Sequence, residues 1–315
     1  MVYQPVAIKE TIDVVTPRRS IWRGALSRLV AALAGNRKGL LGAILLLVFV
    51  VVAVFAPLIA PYDPTAGLFN PSIGASSAHL LGTTSDGKDV FSQLIWGTRQ
   101  SLLIAIAAGL MATIISVLIG VTAAYIGGIT DHGLGLVTDI FLVLPALPLM
   151  IIIAAYYKGS GVWIIIAVIV ITSWSYGARQ LRAQALSLRN REFLLSARVR
   201  GESSLYVILF ELLPTMTSLI VANFLGAAVY AVLTAAGLQF IGLGNPDDLS
   251  WGTMLYFAEN NEALNAGSPL WAIAPGVCIA LLGAAFALLN YAFDELGNPA
   301  LRTARRKRGR LSGHS

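Results

Sequence analysis

Charge is what this 315-residue sequence has least of: Asp, Glu, Lys and Arg make up 12% of it, against 57% hydrophobic residues. Soluble domains carry about 25% charged residues, so a water-facing surface cannot be built from this composition. With a mean hydropathy of +0.75 and its apolar residues gathered in long blocks, the chain reads as an integral membrane protein. Cysteine is nearly absent too. Cys278 is the one thiol and sits in an apolar run, which excludes a disulfide framework or a cysteine-based zinc site within one chain. His79, His132 and His314 all stand in polar stretches, so no histidine is placed at membrane depth to ligate metal or relay protons. Carboxylates are missing from the middle of the apolar runs, where ion-coupled transporters and proton pumps put them. That disfavours a secondary transporter or channel, the alternative from another class. No Ser/His/Asp set, carboxylate pair or H-E-x-x-H sequence lies at membrane depth, which disfavours a membrane hydrolase.

Six apolar runs are long enough for the roughly 30 Å hydrocarbon core: residues 40–60, 101–126, 136–157, 161–176, 217–238 and 270–293. Each should be helical, because lipid satisfies no backbone group. The fold class is therefore all-α, with six transmembrane helices. Pro57, Pro145, Pro148 and Pro275 should kink or end helices. Residues 40–300 form the membrane domain, between a basic amino-terminal arm (1–39) and a basic tail (301–315). The arm is too long and too charged for the front of a secretory signal. Within it, Ile21, Trp22, Leu26, Leu29, Val30 and Leu33 against Arg19, Arg23 and Arg28 suit an amphipathic helix on an anionic membrane face.

The net charge of +6 would suit nucleic acid, but its placement points to the lipid bilayer instead. Of 22 Lys and Arg residues, 19 fall in the arm, the 179–214 link or the tail, leaving only Lys88, Arg99 and Lys158 elsewhere. By the positive-inside rule both termini and that link are cytoplasmic in a multi-pass cell-membrane protein. The loops at 62–100 and 239–269 are then external. Tyr156, Tyr157 and Trp163 bracket an outer interface, and Trp174 and Tyr176 would mark the inner end of the fourth span.

Gly82-Thr83-Thr84-Ser85-Asp86-Gly87-Lys88-Asp89 reads G-x-x-x-x-G-K-D, one residue short of a phosphate-binding loop. The absent hydroxyl is the one that holds magnesium, and a carboxylate in its place repels phosphate. With the loop external as well, no cofactor is expected on this chain. Among the few polar residues inside the runs, Asp139 lies near the inner end of the third span, placed to cap a helix or pair with an arginine of the link. Asn223 lies near the inner end of the fifth. In the link, the run Arg191 to Gly201 ends in a glycine, a common helix terminator, and Tyr206 to Pro214, apolar and helix-compatible, leads back into the membrane. A short helix, a glycine break and a returning helix make a docking knob, in which Ala197 is small enough to sit close in a partner's groove.

This segment resembles the cytoplasmic EAA loop of importer permeases of the ATP-binding-cassette superfamily, roughly E-A-A-x-x-x-G followed by an H-x-L-P-like ending. Leu195-Ser196-Ala197, Gly201 and Glu211-Leu212-Leu213-Pro214 fill those places, with Leu195 for the usual glutamate and Glu211 for histidine. The runs Ala56-Pro57-Leu58-Ile59-Ala60-Pro61-Tyr62-Asp63-Pro64, His79-Leu80-Leu81-Gly82-Thr83 and Phe240-Ile241-Gly242-Leu243-Gly244 look like the oligopeptide, dipeptide and nickel branch. So do Ser250-Trp251-Gly252-Thr253-Met254-Leu255 and the pairing of Asp139 with Pro145; Asp247 and Asp248 replace prolines of the pattern. The resemblance implies a type I importer fold and no enzymatic activity in this chain. It implies a related second permease, two cytoplasmic ATPase subunits that use ATP and magnesium, and an extracytoplasmic substrate-binding protein at the outer loops. It puts ATPase coupling on Leu195, Ser196, Ala197, Arg198, Gly201, Glu211 and Pro214. Oligopeptide is the implied cargo, with oligosaccharide or nickel as alternatives; Asn260-Asn261-Glu262-Ala263-Leu264 looks like members serving oligosaccharides.

Overall fold

The computed structural model describes residues 36–157, 159 and 161–297. The amphipathic helix expected at 19–35 and the basic tail lie outside the described residues. In chain order the helices are α1 (Arg37–Val54), α2 (Ala56–Ile59), α3 (Val90–Ile126), α4 (Gly128–Val143), α5 (Ala146–Tyr156), α6 (Val162–Leu188), α7 (Glu192–Val199), α8 (Ser204–Thr215), α9 (Thr217–Phe240), α10 (Trp251–Asn260) and α11 (Leu270–Gly297). Among the described residues the only β pairing is one antiparallel bridge between Thr83 and Asp89. Helices α1, α3, α6, α9 and α11 are long and apolar enough to cross a membrane, and the bent pair α4–α5 makes a sixth span. The all-α membrane fold follows.

The third span, expected at 136–157 with a kink or end at its prolines, starts earlier and breaks sharply. It begins at Gly128 and bends by 84° between α4 and α5. Pro145 lacks an N–H and forces the residue before it out of helical geometry, so Leu144 lies at φ −62°, ψ 132°. Pro148 falls in the first turn of α5, where no intrahelical donor is needed. Pro275 neither ends nor interrupts α11, since a membrane bundle tolerates the loss of one donor.

Two helices outrun their apolar windows. Helix α3 begins at Val90, not 101, because the Asp89 carboxylate accepts from the Ser92 N–H at 2.7 Å and caps the helix there. Its 37 residues span about 55 Å at 1.5 Å per residue, well beyond the hydrocarbon. The external loop expected at 62–100 therefore ends at Asp89. Helix α6 continues to Leu188, so residues 179–188 finish a membrane helix instead of starting the cytoplasmic link. Trp174 and Tyr176 do not mark a helix end: Trp174 is buried against Phe141 at 5.2 Å between ring centroids, and Tyr176 is exposed. Tyr156, Tyr157 and Trp163 are exposed, as an interfacial belt requires.

Small residues let α3 act as the central post. Ala105, Gly109, Ala112, Ser116 and Gly120 recur every three or four positions and are buried, the spacing that brings one face of a helix against its neighbours. A methyl at Gly120 would run into the Ala178 carbonyl of α6, and one at Gly109 would sit 3.0 Å from the backbone of Ala228 in α9. On the opposite side Trp251 of α10 is fully buried against Phe49. Its Nε1 donates to the Leu94 carbonyl, and its backbone N–H to the Ser101 hydroxyl, each at 3.1 Å. The 239–269 loop is thus partly helical and pinned to α3.

Candidate functional site

A half-enclosed cavity of about 590 Å³ opens between α3, the α4–α5 bend, α6, α9 and α11. No lining residue is Asp, Glu, Lys or Arg. Its polar face comes from Ser173, Ser175 and Gln180 of α6, Asn223 of α9 and Asn290 of α11, and its aromatic face from Phe141, Tyr176 and Tyr230. Asn223 stands at a three-helix junction. Its Oδ1 accepts from the Thr113 hydroxyl of α3 at 3.3 Å. A methyl at Gly177 would come within 2.5 Å of the same amide and 2.7 Å of the Ser116 hydroxyl, so a larger residue on α6 would displace this asparagine. The Ser116 hydroxyl donates to the Trp174 carbonyl at 2.6 Å, closing the α3–α6 contact.

Asp139 does not take the expected arginine. Arg182 of α6 instead donates from Nε and Nη2 to the two carboxylate oxygens of Asp131, at 2.6 and 2.9 Å. Asp131 stands in the first turn of α4, where negative charge is favoured. Asp139 is exposed and acts on Arg182 only at a distance.

The 192–215 segment forms the expected knob, with its parts oriented differently from expectation. Helix α7 ends in a double-bonded C-cap: the Gly201 N–H donates to the Arg198 carbonyl at 2.9 Å and the Glu202 N–H to the Ala197 carbonyl at 3.3 Å. Gly201 itself sits at φ +78°, the left-handed conformation that favours glycine. Ala197 does not face a partner's groove. It is fully buried, with Leu194, in a cluster with Val121, Ala124 and Leu212 of its own chain. Arg198 is turned inward as well, its guanidinium 4.7 Å from the Tyr125 ring centroid and its Nε 3.3 Å from the Tyr125 hydroxyl. The reason is helical spacing: 194 and 197–198 share one stripe, and that stripe covers the end of α3. The outward stripe carries Leu195, Ser196 and Val199, the last 88% exposed, continued by Leu205 on α8. Glu211 meets Arg200 at 3.8 Å, an open pair worth at most about 1 kcal/mol. Pro214 cannot donate to a preceding carbonyl, and the turn before it, Ile208–Leu212, winds as π-helix.

The outer segment that resembles a phosphate loop has a structural task. His79 Nδ1 meets Asp89 Oδ1 at 2.9 Å, both side chains buried, while the other Asp89 oxygen caps α3. Tyr62 and Phe69 pack on the His79 ring. The Thr83 carbonyl accepts from the Ser268 hydroxyl, which ties this loop to the second outer segment. Between the two segments lies a cavity of about 280 Å³ lined by Asp86, Lys88, Asp247 and Asp248, among others. Burial, with Asp247 alongside, raises the Asp248 carboxyl above the usual carboxylate range. Among the described residues no three of His, Cys, Asp and Glu converge as metal ligands. Reasoning from sequence missed Asn290, Tyr125 and the Asp131–Arg182 pair; an isolated asparagine in the last apolar run was the one visible signal.

Membrane-crossing helices around an uncharged cavity, with a helical knob continuing from the helix that walls it, define a multi-pass transport subunit. Residues 116–298 match the model of the family described as binding-protein-dependent transport system inner membrane component, and the chain belongs to that family. Residues 20–75 match the N-terminal TM domain of oligopeptide transport permease C. The chain is 32% identical over 237 residues to the oligopeptide transport system permease protein OppC of Bacillus subtilis, covering 75% of this chain and 76% of that one. It is 32% identical over 294 residues to the glutathione transport system permease protein GsiD of Pectobacterium atrosepticum, covering 92% and 94%. It is 31% identical over 275 residues to the dipeptide transport system permease protein DppC of Haemophilus influenzae, covering 85% and 92%. The chain is an inner-membrane permease subunit, not an enzyme.

Proposed function

We propose that this chain forms half of the path by which an ATP-driven importer takes up oligopeptides. A related second permease completes the path, two cytoplasmic ATPases drive it, and an extracytoplasmic binding protein delivers cargo to the outer segments. The observation that carries this reading is the double role of α6. Its residues from Thr172 to Gln180 wall the uncharged cavity, and its far end packs in the cluster that holds α7. A push on α7 from the cytoplasm therefore reaches the cavity wall through one rigid helix. The coupling surface is the outward stripe of Leu195, Ser196 and Val199 with Leu205, while Ala197, Arg198, Gly201, Glu211 and Pro214 hold that stripe in place. ATP and magnesium belong to the partner ATPases, since the phosphate-loop lookalike is occupied in capping α3. The peptide reading is supported by the names of the relatives and by a cavity wall rich in hydroxyl and carboxamide groups.

The test is uptake of labelled peptides into proteoliposomes containing the complete importer. Uptake should require internal ATP hydrolysis and the binding protein, and should survive collapse of ion gradients. Uptake driven by a proton or sodium gradient without ATP would overturn the reading. Orientation is tested in a Cys278→Ser background. A cysteine at Ser77 should react with an impermeant thiol reagent from outside, and one at Ser204 only after permeabilisation; the reverse pattern would remove α7 from the cytoplasm.

A further inference from the structure

Two asparagines inside the helix bundle keep hydrogen-bonding capacity that the described fold leaves unused. Membrane helices carry such groups at a cost, and a buried polar atom normally has at least one hydrogen-bond partner. Asn290 Oδ1 is buried without a hydrogen-bond partner, although its side chain lies on the cavity wall. The only hydrogen bond of the Asn223 carboxamide to another described residue is the one its Oδ1 accepts from Thr113, which leaves its Nδ2 donor uncommitted. A glycine of the next helix faces each side chain, and at Gly177 the space is needed. Gly177 of α6 makes room for Asn223, and a methyl at Gly226 of α9 would lie 3.5 Å from Asn290 Nδ2. The two carboxamides, one on α9 and one on α11, thus line the same cavity, which holds no charge.

We infer that Asn223 and Asn290 form a contact station on the import path, at which they hydrogen-bond the backbone amides of a passing peptide. This rests on the peptide reading above and deepens it. A carboxamide offers one acceptor and a pair of donors on a single plane, the complement of a peptide group's N–H and C=O. Every peptide presents that group whatever its side chains, so the station holds cargo without selecting sequence. The absence of charge in the wall serves the same end, because a fixed charge would trap the opposite terminus of the peptide. Saccharide hydroxyls share this hydrogen-bonding chemistry, and the test separates the two sources.

The experiment uses the complete importer in proteoliposomes with three cargoes: a pentapeptide, its backbone N-methylated analogue with matched affinity for the binding protein, and a short oligosaccharide. Asn290→Leu and Asn223→Leu are each compared with the unmodified complex, and Asn290→Gln, which keeps the carboxamide, serves as the conservative variant. Loss of one hydrogen bond between uncharged groups is a change of about fivefold. The expected result is uptake of the pentapeptide reduced about fivefold by either leucine variant and largely restored in Asn290→Gln. The N-methylated peptide should be slow in the unmodified complex and slowed no further by the variants. Equal slowing of both peptides, or no slowing of either, would overturn the station while leaving peptide import intact. So would failure of Asn290→Leu to co-purify with the second permease, which would make Asn290 a subunit contact. A complex that imports the oligosaccharide and no peptide would refute the peptide reading and the station with it.

Discussion

Replacing Gly201 separates backbone geometry from contact chemistry in the knob. Nothing lies within 4 Å of where a Cβ at this position would be, so a side chain there meets no obstacle. The cost is conformational alone. At φ +78° an L-residue loses about 1–2 kcal/mol relative to glycine, with a β-branched residue at the upper end and asparagine near zero. That corresponds to a five- to thirtyfold fall in the fraction of molecules whose α7 ends in the capped form. The uncapped form misplaces the Arg198 and Ala197 carbonyls and so the outward stripe with Val199. The series Gly201→Asn, Gly201→Ala and Gly201→Val should therefore show near-normal, several-fold reduced and most reduced coupling. The assays are co-purification of the ATPases and the ratio of peptide taken up to ATP hydrolysed in vesicles. Insertion and pairing with the second permease should be unaffected. Native uptake with ATPases fully bound in Gly201→Val would refute the reasoning, as would an asparagine variant as impaired as the valine one.

Further outcomes are as specific. Ala197→Glu puts a carboxylate into a fully buried apolar cluster and should lower the yield of assembled complex, whereas Val199→Glu, on the exposed stripe, should leave assembly intact and release the ATPases in detergent. Asp89→Ala removes the α3 cap and strands His79, and should cost about 1–3 kcal/mol in thermal unfolding. Lys88→Ala should change neither stability nor ATP hydrolysis by the complex. Asp248 has a raised carboxyl in the folded protein, so its ionised form opposes folding at neutral pH. Asp248→Asn should accordingly raise thermal stability at pH 7, and the difference should close as pH falls below the ordinary aspartate range, where both states are protonated; a difference independent of pH would exclude this cause.

Hydropathy located the spans, and Gly201 located the end of α7, because both signals are local. The ends of α3 and α6 escaped the same reading. Their extra turns, such as Val90 to Gln100 and Arg179 to Leu188, are amphipathic and gain stability from neighbours that only the fold supplies. Pro145 was legible as a breaker, but the size of the bend was not, since the angle depends on what α5 packs against. Ala197 and Arg198 were read as outward-facing because a small residue and an arginine suit an interface. Which stripe of an eight-residue helix turns inward depends on the end of α3, more than seventy residues away in sequence. The cavity was legible only as an absence of charge. Asn223 stood out in its apolar run, but its partnership with Gly177 and Thr113 joins three helices.

The π turn at Ile208–Leu212 bears on how this family's sequences can change. Such a turn is an α-helix that has absorbed one extra residue without passing the offset along the chain. Deleting a single residue between 208 and 212 would restore ordinary winding and leave α7 and the start of α8 facing as they do now relative to α9. Val207 and the residue now at 212, both fully buried, would then stand four apart and still share the inward stripe. A one-residue deletion at this point is therefore silent for the facing of the knob, whereas the same deletion in the regular turns of α9 would rotate it, so length changes in related chains are best tolerated at 208–212.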